Sequence, residues 1–267
     1  MKVHFDITAA MMDRSLVQGV ADLITSLNTP SFETELADLV AAATGFDSMV
    51  MVALFERGGI RPLFNNLSQA DLVRTLEPYL AGAYLIDPWY NMALAGAPNG
   101  LYRLSDIAPD DFERSDYYRE YYAGIGLHDE CVLLVKLSAG AWALLSFGAR
   151  VGPPRSESLE RLQQIAPCLI ALCERHWSNL VIDDAPEVSL ESLCLAKGLS
   201  KREVEVIGLL LRGYSNKLIA REMDISPETV KVYRKRINKK LGTSSAREVF
   251  ASFFSSPSNG VALGHAA

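Results

Sequence analysis

The sequence predicts two units of different fold: an α+β unit in which helices flank an antiparallel sheet, then a small all-α unit of four helices. Two pairs of β-prone segments, with helical segments before, between and after them, predict the first unit. A succession of short helical segments with capping residues at their starts predicts the second. The 267 residues, 49% of them hydrophobic and 22% charged, are typical of a folded protein and exclude a disordered or collagen-like chain.

The predicted sheet is built from two hairpins. Segments 49–55 and 60–64 are joined by a turn at Arg57-Gly58-Gly59, and segments 131–137 and 142–147 by a turn at Ser138-Ala139-Gly140. Hairpins pair antiparallel, so the sheet is expected to be mainly antiparallel. Predicted helical or mixed segments surround them: one from Ser31 to a stop at Gly45, then 69–79, a stretch opened by Asp87-Pro88, 109–122, and the long helix 156–177.

The segment 182–187 is acidic, contains Pro186 and separates two regions of different character. We expect an α+β domain at 1–180, a linker at 181–198, an all-α domain at 199–255 and a flexible tail at 256–267.

The charge of the chain is divided between these domains. The net charge of −6 counts at first against a nucleic-acid partner. Residues 199–250, however, hold 12 basic and 6 acidic side chains, a local charge of +6 that leaves −12 for the remainder. A basic small domain is a candidate phosphate-binding surface.

Caps define the four helices of the basic domain. Ser200 and Glu203 form a predicted capping box at the start of the first helix, which stops at Gly213. Ser215, Ser226 and Ser245 are predicted N-caps of the next three. A tight turn at Asp224-Ile225, between the second and third helices, predicts a helix-turn-helix module. Its third helix would have one apolar face and one cationic face.

Four sequence blocks of this domain resemble a known family. LSKREVEVI at 199–207, GYSNKLIA at 213–220, ISPETVKV at 225–232 and KKLG at 239–242 are similar to the LuxR-type (GerE-like) DNA-binding domain. The resemblance places Glu203, Ile207 and Gly213 at scaffold positions. It places Lys231, Val232 and Lys235 at base-facing positions of the recognition helix. Tyr233 departs from the family, which commonly has His there.

The resemblance implies double-stranded DNA as the partner, bound by a homodimer on an inverted-repeat operator. Lys231 and Lys235 can donate to guanine, and Val232 can contact a thymine methyl group. Five further polar residues of the module are expected to contact phosphates: Asn216, Lys217, Arg234, Lys239 and Lys240. The stripe of Val249, Phe250 and Phe253 is a candidate dimer face, and packing against the first helix is the alternative.

The N-terminal domain is expected to be a sensor. The sequence does not favour a phosphorylated receiver, because the acidic pair Asp183-Asp184 lies in the linker. The antiparallel pattern favours a small-molecule sensor of the acyl-homoserine-lactone type or a related GAF/PAS-like domain. Tyr79, Tyr84, Asp87-Pro88, Trp89 and Gly124 resemble the Tyr, Asp-Pro and Gly landmarks of the lactone receptors, and Tyr102 stands near where a second Trp of those receptors would be expected. The candidate ligand-binding residues are Tyr79, Tyr84, Asp87, Trp89 and Tyr102. The Trp that those receptors place before the Tyr is absent from 72–76, which favours another ligand.

The composition around these residues suits an amine. Eight of the ten tyrosines fall between Tyr79 and Tyr122, and nine acids stand against three arginines between Asp87 and Glu130. Aromatic faces beside carboxylates bind organic cations. The alternative is that the tyrosines pack on the sheet and the acids are solvated.

Other classes of protein receive less support. The sequence holds no nucleophile elbow, P-loop, dinucleotide fingerprint or metal signature, so we expect no enzyme, no cofactor and no metal. A regulator controlled by a protein partner stays an alternative to ligand sensing. The four cysteines are expected to be reduced. No membrane segment is predicted, and the expected location is the bacterial cytoplasm, at the nucleoid when DNA is bound.

Overall fold

The computed structural model describes residues 7–56, 59–107, 118, 122–126, 130–137, 140–149, 156–180, 189–245, 248–249 and 252–253, with backbone alone for 7–15. The N-terminal unit contains a sheet of five strands: β1 (Ser48–Phe55), β2 (Ile60–Asn65), β3 (Gly100–Arg103), β4 (Glu130–Lys136) and β5 (Ala141–Gly148). Their order in the sheet is β2-β1-β5-β4-β3, and each neighbouring pair is antiparallel. The predicted α+β class is confirmed.

Helices cover both faces of this sheet. Their bounds are α1 (Ile7–Thr25), α2 (Phe32–Thr44), α3 (Gln69–Asp71), a π-helix (Leu72–Leu76), α4 (Glu77–Leu80), a 3-10 helix (Ala83–Ile86), α5 (Pro88–Leu94), α6 (Leu104–Ile107), α7 (Ala123–Ile125) and α8 (Ser156–His176). On one face, Phe32 and Leu162 pack with Met51, Leu133 and Phe147. The opposite face packs against the segments between β2 and β3, so strand side chains alternate between two cores.

Both predicted hairpins and the long helix after them are present. The strand β3 and the helix α1 were not predicted. β3 has only four residues and lies at the sheet edge, which gives little alternation for a pattern to detect. The predicted helix 69–79 is divided into three short helical pieces. Most of the predicted segment 109–122 lies outside the described residues.

The C-terminal unit is all-α: α9 (Leu190–Ala196), α10 (Lys201–Leu211), α11 (Asn216–Glu222) and α12 (Pro227–Leu241). The predicted capping box is present at α10, and Ser215 and Ser226 cap the next two helices through their side chains. Asp224 adopts a φ of 52° in the turn before α12, a left-handed conformation that Asp tolerates. Of the predicted fourth helix, residues 248–249 and 252–253 are described and are helical.

The predicted linker requires a correction, because 181–198 contains the helix α9. Ser189 caps this helix with a Ser192 capping box, and Cys194 is fully buried. Cys194 and Leu199 belong to the same apolar cluster as Val206 of α10. The domain boundaries themselves stay predictions. No helix among the described residues is long and apolar enough to cross a membrane.

Candidate ligand and nucleic-acid sites

A cavity of about 160 Å³ lies in the N-terminal unit, between the sheet and the helical segments that follow β2. Apolar side chains from both sides form much of its wall: Val50, Val52, Leu67, Leu76, Ile125 and Leu144. Polar and aromatic side chains complete it: Ser48, Asp71, Arg74, Thr75, Tyr79, Asp87, Trp89, Tyr122, Glu130 and Ser146. An apolar enclosure with a few convergent polar groups is typical of a small-molecule site.

Asp87 is buried at one side of this cavity and has two structural roles. Its Oδ1 accepts a hydrogen bond of 3.0 Å from the backbone N–H of Trp89 and so caps α5. Its Oδ2 accepts from the hydroxyl of Tyr79 at 2.5 Å. Burial, reinforced by the negative charge of Glu130, raises the pKa of Asp87 to about 7. Near neutral pH this carboxyl is therefore poised between its neutral and charged forms.

Glu130 is the second buried carboxyl of the cavity and lies at the start of β4. It accepts hydrogen bonds from the indole Nε1 of Trp89 at 3.1 Å, the hydroxyl of Tyr122 at 2.7 Å and the hydroxyl of Ser146 at 2.5 Å. Trp89 thus donates to both carboxyls, through its backbone to Asp87 and through its ring to Glu130. The arrangement holds two acids at one apolar, aromatic cavity.

Arg74 is the one basic side chain among the described residues that line the cavity. Its guanidinium donates to Asp71 at 2.6 Å, and 58% of the side chain is exposed. Asp71 also accepts from Ser68, which caps α3. This ion pair lies at the solvent-exposed rim, so it contributes little to the charge balance deeper inside.

The structure brings together three of the five predicted ligand residues. Tyr79, Asp87 and Trp89 line the cavity, whereas Tyr84 and Tyr102 do not, and this corrects the prediction. The hydroxyl of Tyr84 accepts from the backbone N–H of Gly59, and that of Tyr102 donates to the backbone oxygen of Pro98. The Tyr84 ring packs edge-on against Tyr79 and Tyr90, the structural role that was the stated alternative for the tyrosines.

Sequence reasoning missed Glu130 as a site residue. Its partners Trp89, Tyr122 and Ser146 lie 41, 8 and 16 positions away, so no local spacing marks the cluster. One signal was available: Glu130 is the acid that opens a strand whose next five residues are all buried and apolar. A charged residue so placed is either paired or part of a site.

The helix α12 has the two faces that the sequence predicts. Val230 and Ile237 are buried, while Lys231, Val232 and Lys235 are exposed, Val232 by 49%. The Lys231 Nζ lies 2.8 Å from Glu228, one turn earlier, in an exposed ion pair that a phosphate or base can replace. A cationic, exposed helix after a tight turn has the dimensions to enter a major groove.

The predicted phosphate contacts occupy different environments. Lys217 and Lys239 are exposed, and the side chain of Lys239 makes no hydrogen bond or ion pair in the described part of the chain. Arg234 donates to Asn216 at 2.9 Å, which ties α12 to the first residue of α11. The Nζ of Lys240 donates to Glu203 at 2.6 Å and to the backbone oxygen of Gly198. This contact gives Lys240 a scaffold role, and its phosphate contact stays a prediction.

The predicted dimer face is also corrected. Val249 is only 1% exposed and belongs to the apolar cluster of α10, α11 and α12, so it is unavailable to a partner. Phe253 packs against the same cluster, and the Nζ of Lys197 lies 5.2 Å from its ring centroid. Phe250 lies outside the described residues. The structure therefore supports the alternative, packing within the domain.

The fold and these surfaces define a class of protein: a DNA-binding transcription regulator with an N-terminal domain of the ligand-binding kind. Residues 197–253 match the GerE family, described as bacterial regulatory proteins of the luxR family. The chain thus carries a LuxR-family helix-turn-helix domain at its C terminus, and this family binds DNA.

Relatives extend beyond that domain. The chain is similar to an HTH-type transcriptional regulator from the exeN 3′ region of Aeromonas salmonicida, with 26% identity over 62% of this chain and 92% of the relative. It is also similar to the monoamine regulon transcriptional regulator of Klebsiella aerogenes, with 32% identity over 45% of this chain and 48% of that protein. The crystal structure of the VqsR LBD domain from Pseudomonas aeruginosa matches with a TM-score of 0.53 and 25% identity, over 61% of this chain and 96% of that one.

Proposed function

We propose that this protein is a one-component regulator in which a small molecule bound in the N-terminal cavity controls DNA binding by α12. The observation that supports this most directly is the combination, in one chain, of a cavity lined by two buried carboxyls and a DNA-binding domain of the luxR family. The proposed domains are 1–180 for the sensor, 181–198 for the connection and 199–255 for the output. The protein would act in the bacterial cytoplasm and at the nucleoid.

The proposed ligand is an amine or another molecule that is not a lactone. The two acids Asp87 and Glu130 support this choice, because they offer acceptors and negative charge at the cavity. The name of the Klebsiella relative, a regulator of a monoamine regulon, is consistent with it. An acyl-homoserine lactone and a protein partner are the alternatives. The experiment below tests the protein partner, and the ligand measurements of the next subsection test the lactone.

On DNA, we propose that Lys231, Val232 and Lys235 contact base edges, in a homodimer bound to an inverted-repeat operator. Lys217 and Lys239 would contact phosphates, and so would Arg234 with Asn216. Base contacts select the sequence, whereas phosphate contacts only position the protein. Ligand occupancy would change the spacing or the exposure of the two recognition helices.

The experiment selects and sequences the DNA fragments that the purified full chain binds, with and without a small-molecule extract of cells. We expect an inverted-repeat sequence to be enriched, and the extract to change its affinity. A second titration adds the protein fraction of the same cells. If this fraction changes the affinity for DNA while the small-molecule extract does not, the protein-partner alternative is supported. Enrichment of no sequence at all would contradict the proposed function.

A further inference from the structure

The cavity's acids are arranged around one tryptophan. Trp89 donates its backbone N–H to Asp87 and its indole N–H to Glu130, so a single buried residue fixes the two carboxyls on the same site. Trp89 is itself 2% exposed and lines the cavity. Because both donors belong to one buried residue, Trp89 links the two acids.

Besides burial, the negative charge of Glu130 contributes to the raised pKa of Asp87. Burial and then the negative charge of Glu130 raise the pKa of Asp87, whereas the hydrogen bonds from Tyr79 and from the Trp89 backbone lower it. Asp87 is therefore held partly protonated at neutral pH. A cation in the cavity would interact favourably with both acids and would favour the charged form of Asp87. A neutral ligand of the same shape lacks this interaction.

The lining residues and the volume of the cavity limit the size and the chemical type of the cation that it can hold. The aromatic rings of Tyr79, Trp89 and Tyr122 line the cavity beside the acids, and aromatic faces attract ammonium groups. Aliphatic side chains form much of the remaining wall, and a few polar groups, among them Thr75 and Ser146, complete it. An apolar protein cavity of about 150 Å³ holds one benzene molecule, and this cavity has about 160 Å³. It suits a single ring or a short chain with one ammonium group.

We infer that the signal is a compact organic cation, a protonated amine with one small apolar group, and that Glu130 together with Asp87 determines this specificity. The inference rests on the proposed function, since it concerns the ligand of the same cavity. It goes beyond that proposal in the charge of the ligand, in its size and in the residue that selects it.

The test measures binding of benzylamine and of benzyl alcohol, its neutral analogue, to the full chain at pH 8 by calorimetry. Glu130→Gln keeps the shape of the side chain and removes its charge. Glu33→Gln is the matched control, because Glu33 also accepts an indole N–H, that of Trp177 at 3.2 Å, on the opposite side of the sheet. Circular dichroism and thermal unfolding of each variant report whether it folds.

We expect benzylamine to bind at least about tenfold more tightly than benzyl alcohol, because a charge-assisted contact is stronger than a neutral one. Glu130→Gln should remove most of this preference, and Glu33→Gln should keep it. Equal binding of the amine and the alcohol, an unchanged preference in Glu130→Gln, or no binding of benzylamine would each overturn the inference.

A second measurement needs no variant. The groups that face Asp87 in the cavity and carry charge or titrate are Asp71, Arg74, Tyr79, Tyr122 and Glu130. Benzylamine binding should release protons near pH 6.5, where Asp87 is partly protonated, and none near pH 8.5. Calorimetry in two buffers of different ionisation enthalpy measures this release. Its absence at pH 6.5 would contradict a cation beside Asp87, even if Glu130→Gln does not fold.

The failure of this inference is distinguishable from failure of the proposed function. A neutral molecule or N-butanoyl homoserine lactone that changes affinity for the selected operator would preserve ligand control and overturn the cation. Benzylamine that binds in the expected manner while operator affinity stays constant would support the cation and count against ligand control.

Discussion

The two domains each bury a carboxyl group, and the two groups behave in opposite ways. In the DNA-binding domain, burial would raise the pKa of Glu203, but hydrogen bonds from Lys240 and Ser200 outweigh it and lower the pKa below its usual range. In the sensor, burial and then Glu130 raise the pKa of Asp87 to about 7. Lys240 of the same chain supplies a cation to Glu203. The donors to Asp87 are instead neutral: the phenol of Tyr79 and the backbone N–H of Trp89.

This difference distinguishes a scaffold from a receptor site. Glu203 closes the capping box of α10 and reaches Lys240 at the end of α12, so its charge holds two helices together. Asp87 caps α5, yet burial and the charge of Glu130 disfavour its charged form. A buried acid that lacks a cation of its own chain gains from a complementary ligand, and such functional groups commonly cost stability.

The largest effect is expected for Asp87→Asn. The folded pKa of about 7 lies above the unfolded value, so the Asp87 contribution to stability is intact below about pH 4 and is lost as the pH rises towards 7. Asn keeps the helix cap and removes this loss. The variant should exceed the wild type in unfolding free energy by an amount that grows from pH 4 to 7, up to about 4 kcal/mol.

Urea unfolding at several pH values measures this difference. Glu33→Gln serves as a control of opposite sign. Burial would raise the pKa of Glu33, but its bonds to His176 and Trp177 contribute to a net lowering, so its stabilisation is present near neutral pH and lost in acid. If the unfolding free energies of Asp87→Asn and Glu33→Gln changed with pH in the same way relative to the wild type, Asp87 would not differ from a structural acid.

Glu203→Ala tests the scaffold side of the comparison. The change removes the capping box and leaves Lys240 without its carboxylate, so we expect a loss of about 2 kcal/mol in unfolding free energy. Thermal and urea unfolding of the full chain measure it. Glu205→Ala, which removes an exposed ion pair with Arg202 on the same helix, should change stability by less than about 0.5 kcal/mol. Equal losses in the two variants would show that Glu203 is an ordinary surface acid.

Two lysines of α12 should have different roles in DNA binding: Lys235 in contacts with bases and Lys239 in contacts with phosphates. Lys235→Ala should weaken binding to the selected operator by about 1 to 3 kcal/mol and relax its sequence preference. Lys239→Ala should weaken operator and random DNA alike and reduce the salt slope by about one. Titrations at several salt concentrations measure both. Equal losses on both DNAs for both variants would contradict the division between base and phosphate contacts.

The same comparison explains what the sequence could predict. The Ser200, Ser215 and Ser226 caps each bond a backbone N–H three residues on, so the helix starts were readable from local spacing. Both hairpins were likewise readable from apolar runs and their turns. The DNA-binding family was recognisable because its blocks are contiguous.

The cavity depends instead on contacts between distant segments. Glu130 meets Trp89 from 41 positions away, and Tyr84, although in the predicted cluster, bonds Gly59 outside the cavity. The Lys240 contact with Glu203 spans 37 positions, so local spacing does not reveal it. In each case the residue type was informative, and the partner was set by the tertiary fold.

The smallest effect concerns Val249, whose predicted dimer role the structure replaces with core packing. Val249→Ala removes buried methyl groups beside the DNA-binding helices, and we expect a loss of about 1 kcal/mol in stability. The oligomeric state, measured by sedimentation at several protein concentrations, should stay that of the wild type. Since Val249 is fully covered within its own chain, a shift towards monomer without a loss of stability would contradict this assignment and restore the dimer face. Leu195→Ala, at an exposed leucine of α9, is the control for removing apolar surface from the same domain.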